Sequence, residues 1–137
     1  DACPHHGPHM ASGEELGRYH LVWFSLGEHH KGIQYGMYDT ETAVMSKGFS
    51  VDPRAGASHP LVAAVGDKVY VLWKFFDGVN TRLQLIRSMD GGDKWKPTET
   101  LLTSSEGSDH PQLILAQGKV FIGWLAEQEG YRVINVH

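Results

Sequence analysis

Val69-Tyr70-Val71-Leu72-Trp73-Lys74-Phe75-Phe76, closed by Asp77-Gly78, is the stretch whose reading decides the fold. Apolar residues occupy both of its faces, as in a strand packed inside layers rather than on a half-wet sheet. It has two relatives in the chain. HLVWFSLG (20–27) and VFIGWLAEQEG (120–130) centre on Trp23 and Trp124 as VYVLWKFFDG (69–78) centres on Trp73, at offsets of 50 and then 51 residues. About fourteen residues ahead of the second and third tryptophans stand His59-Pro60 and His110-Pro111, and ahead of the first comes His6-Gly7-Pro8. A period near 50 residues marks stacked units, propeller blades in particular.

Around Trp73 the chain parses into four short strands: Pro60 to Val65, Lys68 to Phe76, Thr81 to Arg87 and Lys96 to Leu102. Gly66-Asp67 and Asp77-Gly78-Val79-Asn80 supply turns between them, and Ser88 to Trp95 a tight loop. The first unit repeats the plan at Pro8–Ser12, Tyr19–Leu26, Gly32–Tyr38 and Val44–Ser50. The last has Pro111–Ala116, Lys119–Ala126 and Tyr131–Val136. No segment carries sustained helical periodicity with caps. The expected fold is therefore all-β, built of propeller blades of four antiparallel strands, with about 2.7 blades present. Blade 1 spans about 4–51, blade 2 about 57–103, and blade 3, lacking its outer strand, about 108–137. A β-sandwich with coincidental spacing is the alternative. Open sheet edges need cover, from remaining blades or from a protein partner.

Composition bounds the function. The 137 residues are 41% hydrophobic and 20% charged, with a formal net charge of −4. That balance argues against non-specific nucleic-acid binding, which needs a basic surface. No apolar run approaches the ~20 residues of a membrane-spanning helix. The chain opens on Asp1 without a signal peptide, which reads as a processed form or a fragment. The single cysteine, Cys3, leaves open a buried thiol, half of a disulfide, or a metal ligand.

Ser88-Met89-Asp90-Gly91-Gly92-Asp93-Lys94-Trp95 is the sharpest local motif. An Asp side chain can accept from its own loop's amides, glycines permit positive φ, and a Trp can cover the loop. The Ser-x-Asp-Gly-Gly-x-x-Trp spacing resembles the Asp-box of bacterial sialidases and related BNR-repeat propellers. The resemblance implies a six-bladed sialidase-like propeller in which this loop is a folding device on the rim. It also implies what a sialidase would need: three arginines on the substrate carboxylate, a Tyr/Glu nucleophilic pair, an Asp acid/base and an Arg-Ile-Pro motif. Arg18, Arg54, Arg82, Arg87 and Arg132 fall in turns or third strands, as do Tyr35 and Tyr38, and the motif has no counterpart. No complete hydrolytic constellation is visible, and fold alone does not confer activity.

Nine histidines are many for this length. In a propeller the innermost strands begin at one face, so His5, His6, His59 and His110 are expected to approach one another from successive blades. Imidazoles at a channel mouth suit zinc or copper, and a thiolate would add to them. Cys3, His5, His6, His59 and His110 are the candidate ligands, with His29-His30 in a turn on the same face. Against this stands a plainer reading, in which His-Pro merely caps a strand turn. His20 reads as structural, and His9 as a channel-lining residue. The segment Cys3-Pro4-His5-His6-Gly7-Pro8 with Val22-Trp23-Phe24 resembles exported bacterial sialidase-like proteins, which implies a periplasmic or secreted setting. Three expectations result: a non-catalytic propeller binding a carbohydrate ligand or a partner, a copper- or zinc-binding protein, and the C-terminal part of a sialidase-like glycoside hydrolase.

Overall fold

The computed structural model describes residues 7–137, and among them every regular element is a strand. Sheet 1 comprises β1 (His9–Ser12), β2 (Arg18–Leu26), β3 (Lys31–Asp39) and β4 (Val44–Asp52). Sheet 2 comprises β5 (Ala57–Val65), β6 (Lys68–Phe76), β7 (Thr81–Ser88) and β8 (Glu99–Ser104). Sheet 3 comprises β9 (Gln112–Ala116), β10 (Lys119–Ala126) and β11 (Gly130–Asn135). Each is an antiparallel meander in chain order, and the leading strands neighbour one another, β1 beside β5 and β5 beside β9. This is the blade-like arrangement that the 50-residue period predicts.

Strand β6 shows why the period was legible. Val69, Val71, Trp73 and Phe75 face a core shared with Val22, Ile33 and Tyr35 of sheet 1. Tyr70 and Leu72 face the other way, into a core shared with Val120, Ile122 and Trp124 of sheet 3. Sheet 2 is thus covered on both faces, which is why its strands carry apolar residues at consecutive positions. Full burial of such side chains contributes roughly 1.5–3 kcal/mol each.

Several boundaries shift from the expected ones by one to three residues, and two of the shifts have a clear local reason. Strand β8 begins at Glu99 rather than Lys96, because Trp95 bridges to Ser88 and Lys96 N donates to Arg87 O at 2.9 Å. Strand β4 runs on to Asp52, whose carboxylate is held under the next sheet.

The loop 88–95 closes as its residues dictate. Asp90 Oδ1 accepts from the amides of Asp93 (3.1 Å) and Lys94 (2.9 Å) and from Ser88 Oγ (2.8 Å). Trp95 Nε1 donates back to Gly92 O at 3.2 Å. Gly92, at φ 97, presses against the Tyr35 hydroxyl of sheet 1, and the Trp95 ring meets Tyr35 edge-on at 4.9 Å. The loop therefore wedges sheet 2 onto sheet 1.

Candidate functional site

In sheets 2 and 3 the tryptophan anchors the loop that leads into the leading strand. Trp73 Nε1 donates to Asp52 Oδ2 at 2.8 Å, and Arg54 grips the same carboxylate through Nε (2.9 Å) and Nη2 (2.8 Å). Trp124 Nε1 donates to Asp109 O at 2.9 Å, a carbonyl that Lys74 Nζ also reaches at 3.1 Å. Burial lowers the Lys74 pKa, against the pull of Asp109. These anchors fix the backbone just ahead of His59 and His110.

The two histidines meet. Their rings stack at a centroid separation of 3.8 Å with 23° between planes. His59 gets there through a bulge: Ser58 pairs with Lys74 and Leu61 with Leu72, so His59 and Pro60 together oppose Trp73. Proline has no amide to give a ladder and belongs at such a bulge. His59 itself sits at φ 54, a left-handed conformation that a non-glycine residue holds only under strain. Its Nδ1 lies 2.9 Å from Ser58 Oγ.

A third imidazole joins them from sheet 1. His9, His59 and His110 line one pocket of about 180 Å³, together with Gly7, Pro8, Pro60, Leu61 and Pro111. His9 Nδ1 accepts from Val62 N at 3.0 Å, which places the hydrogen of the neutral ring on Nε2. Burial lowers the His9 pKa and favours that neutral form. The pocket is smaller than the usual ~300–1,000 Å³ of drug-sized ligand sites, so it suits a small polar group or a single ring.

The expected metal set divides accordingly. His59 and His110 come together, whereas Cys3, His5 and His6 lie outside the described residues. Among the described residues no group of three or more His, Cys, Asp or Glu is arranged to hold a metal ion. Cofacial rings also send their nitrogen lone pairs along near-parallel lines, while zinc needs them to converge at about 2.0–2.1 Å. His29 and His30 are exposed in the β2–β3 turn and do not line this pocket.

Sequence reasoning had admitted His9 only as a channel-lining residue and put His6 in the site. The signal that singles out His9 is the spacing from tryptophan. His9, His59 and His110 each stand fourteen residues before Trp23, Trp73 and Trp124. His20 is buried and bonds Tyr35 Oη through Nδ1 at 2.7 Å, the structural role expected of it. Burial lowers the His20 pKa, with Lys47 acting in the same direction, and burial drives the Tyr35 hydroxyl upward.

The opposite end of the sheets holds a more polar cleft lined by Glu14, Asp67, Asp90, Asp93, Arg18 and Lys47. Its acids serve the fold. Asp90 closes its own loop, Asp93 pairs with Lys47, and a hydrogen bond between Glu14 and Asp67 raises the Glu14 pKa. Arg18, Arg54, Arg82 and Arg87 are paired with Glu15, Asp52, Asp77 and Glu99.

No family model matches the chain, and no curated protein sequence matches it. Among solved structures, GH43 endo-arabinanase from Bacillus licheniformis superposes with a TM-score of 0.54 at 13% identity, over 95% of this chain and 52% of its own. A variant of Bombyx mori GH32 beta-fructofuranosidase BmSUC1, in complex with sucrose, gives a TM-score of 0.47 at 15% identity, over 96% of this chain and 34% of its own. The chain spans about half the length of the arabinanase. At this identity the likeness is one of fold alone, a β-propeller.

Proposed function

We propose that the chain is a ligand-binding propeller module that recognises a small carbohydrate group at the end where His9, His59 and His110 gather. The observation carrying this reading is their convergence on one pocket from three successive sheets, at one fixed offset from three repeated tryptophans. Imidazole nitrogens offer directional donors and acceptors, and the proline and leucine faces offer apolar contact, the mixture a sugar ring uses. The propeller likeness to an endo-arabinanase supports carbohydrate as the ligand class. The module binds without cleaving. Glycoside hydrolysis ordinarily needs a pair of carboxylates about 5–9.5 Å apart, and the pocket is lined by imidazoles, prolines, leucine and glycine. The sialidase-like and exported character implied by the loop 88–95 and the Cys3–Pro8 segment belongs to the same proposal.

Calorimetric titration with arabino-, fructo- and sialo-oligosaccharides tests it. Binding that weakens at least about tenfold in His9→Ala and His110→Ala is expected, roughly 1.4 kcal/mol or more. A wild-type chain that binds none of them sinks the reading. Turnover of a fluorogenic sialoside or arabinoside would remove its non-catalytic part and favour a glycoside hydrolase.

A second reading has one specific observation in its favour. Gly7 and Pro8 line the pocket, so His6 is a single residue from it in the chain. Under this reading Cys3, His5 and His6 complete a copper or zinc site with His59 and His110, one of the stacked rings rotating to converge. Metal content of the purified protein should then fall in His59→Ala and His110→Ala. Unchanged content excludes it.

A further inference from the structure

The three sheets differ at the position that follows each repeated tryptophan. It is Phe24 in sheet 1, Lys74 in sheet 2 and Leu125 in sheet 3. Phe24 packs onto the core facing sheet 2, and Leu125 is exposed. Of the three, Lys74 alone carries a side-chain donor.

The ladder places Lys74 between two histidine loops. Its main chain pairs with Ser58, the residue before His59, at the edge of the bulge that sets His59 and Pro60 against Trp73. Its side chain crosses to the loop before His110, where Nζ donates to Ser108 O at 3.3 Å and to Asp109 O at 3.1 Å. Sheet 3 holds the same loop from its own side. Trp124 Nε1 donates to Asp109 O at 2.9 Å, and Asp109 N donates to Leu125 O at 2.9 Å. Those bonds fix the loop within sheet 3 but leave its position relative to β5 unspecified. Lys74 supplies that position.

The charge of the ammonium strengthens both bonds, and the two carbonyls offset the cost of half-burying it. The two joints of the chain differ accordingly. Between sheets 2 and 3 the rings of His59 and His110 stack at 3.8 Å. Between sheets 1 and 2, where Phe24 replaces the lysine, the His9 ring turns its Nδ1 to Val62 N.

We propose that Lys74 is the positioning residue of the histidine pocket, holding the Ser108 and Asp109 carbonyls so that His110 lies on His59. This role rests on the ligand-binding reading for its consequence. The stacked pair is one wall of the pocket, and its spacing is set from outside, since Lys74 is not among the lining residues.

Nuclear magnetic resonance of the imidazoles reads this geometry. Stacked rings shield each other's protons and lie close enough for an Overhauser contact between His59 and His110. Lys74→Met keeps an apolar stem and removes the donors. Trp124 still satisfies the Asp109 carbonyl, so the variant should fold, which circular dichroism checks. It should lose the ring contact and the upfield shifts, whereas Lys74→Arg should keep both. Ile86→Ala, a core substitution on β7 in the core facing sheet 1, should also keep them, which separates positioning from a general loss of stability. In calorimetric titration with arabino-, fructo- and sialo-oligosaccharides, Lys74→Met should bind about tenfold more weakly than wild type and Lys74→Arg should recover. A ring contact that survives Lys74→Met overturns the proposal, as does its loss in Lys74→Arg or Ile86→Ala. Lost contact with undiminished sugar binding overturns it as well. A wild-type chain that binds none of the sugars fails the ligand reading alone, and the imidazole spectra still decide whether Lys74 sets the ring pair.

Discussion

The indole of Trp73 and the carboxylate of Asp52 illustrate how much of this molecule hangs on single polar contacts. Asp52 is 3% exposed and accepts from Trp73, from the Arg54 guanidinium and from the Arg54 amide. Burial pushes its pKa up, but the bonds from Arg54 and Trp73 together outweigh burial and hold it below the ordinary 3.8. Removing the carboxylate strands a buried indole N–H and frees the loop ahead of His59, so Asp52→Ala should cost roughly 3 kcal/mol in urea unfolding at pH 7. Because the folded-state pKa is depressed, this contribution is present above pH 3.8 and is lost as pH falls through the folded value. The gap between wild type and variant should therefore narrow in acid. His20 behaves in a different window. Its imidazole is also depressed, below 6.5, so the unfolded chain takes up the proton first and stability falls as pH drops below 6.5. His20→Gln should flatten the pH 8-to-5 stability profile, and an unchanged profile would assign that pH dependence elsewhere. At this scale the sequence was only partly legible. The tryptophan spacing was visible, but Pro8-His9 reverses the order of His59-Pro60 and His110-Pro111 while keeping the fourteen-residue offset, so the place of His9 in the pocket did not stand out. Arg132 read only as a third-strand residue, because burial of its donors depends on packing against Trp124 that no periodicity reveals.

Elements were far more legible than sites. Strands β6 and β10 begin and end where their apolar runs predict, at Lys68–Phe76 and Lys119–Ala126. Consecutive apolar residues there report coverage on two faces, a property of the strand itself. The bulges at His59-Pro60 and ahead of Gln34 and Gln84 were not foreseen, since each arises from what the neighbouring strand must reach. The loop 88–95 allows a sharp test of its wedge role. Gly91 and Gly92 both hold positive φ, but a Cβ at Gly91 meets open space while one at Gly92 collides with Tyr35 Oη. Gly91→Ala should cost only the backbone strain, about 1–2 kcal/mol. Gly92→Ala should add overpacking of about 1–3 kcal/mol to that strain. Thermal melts of the two variants side by side distinguish the terms. Equal losses would mean that the loop does not press on sheet 1.

Sheet 2 joins the two cores of the molecule. Both cores pass through it, one facing sheet 1 and the other facing sheet 3, and alternate residues of β6 serve each. Neither outer sheet has a core of its own that excludes sheet 2, so a loss on one side should be felt on the other. Leu72, fully buried in the core facing sheet 3, gives the test. Leu72→Ala should cost about 2–5 kcal/mol from lost transfer energy and the cavity left behind. If folding is all-or-none, the slowest-exchanging amides lose protection by the same free energy throughout the chain. Hydrogen exchange on β2 and β3 of sheet 1, which Leu72 does not face, should then fall in step with β10. Sheet 1 amides that keep wild-type protection while β10 loses it would instead make each pair of sheets a separate folding unit. That distinction bears on the histidine pocket. His9, His59 and His110 are contributed by all three sheets, so their spacing is only as stable as the coupling through β6. Coupled sheets would hold the pocket preformed for its ligand. Independent sheets would leave it to be assembled on binding, at the expense of affinity.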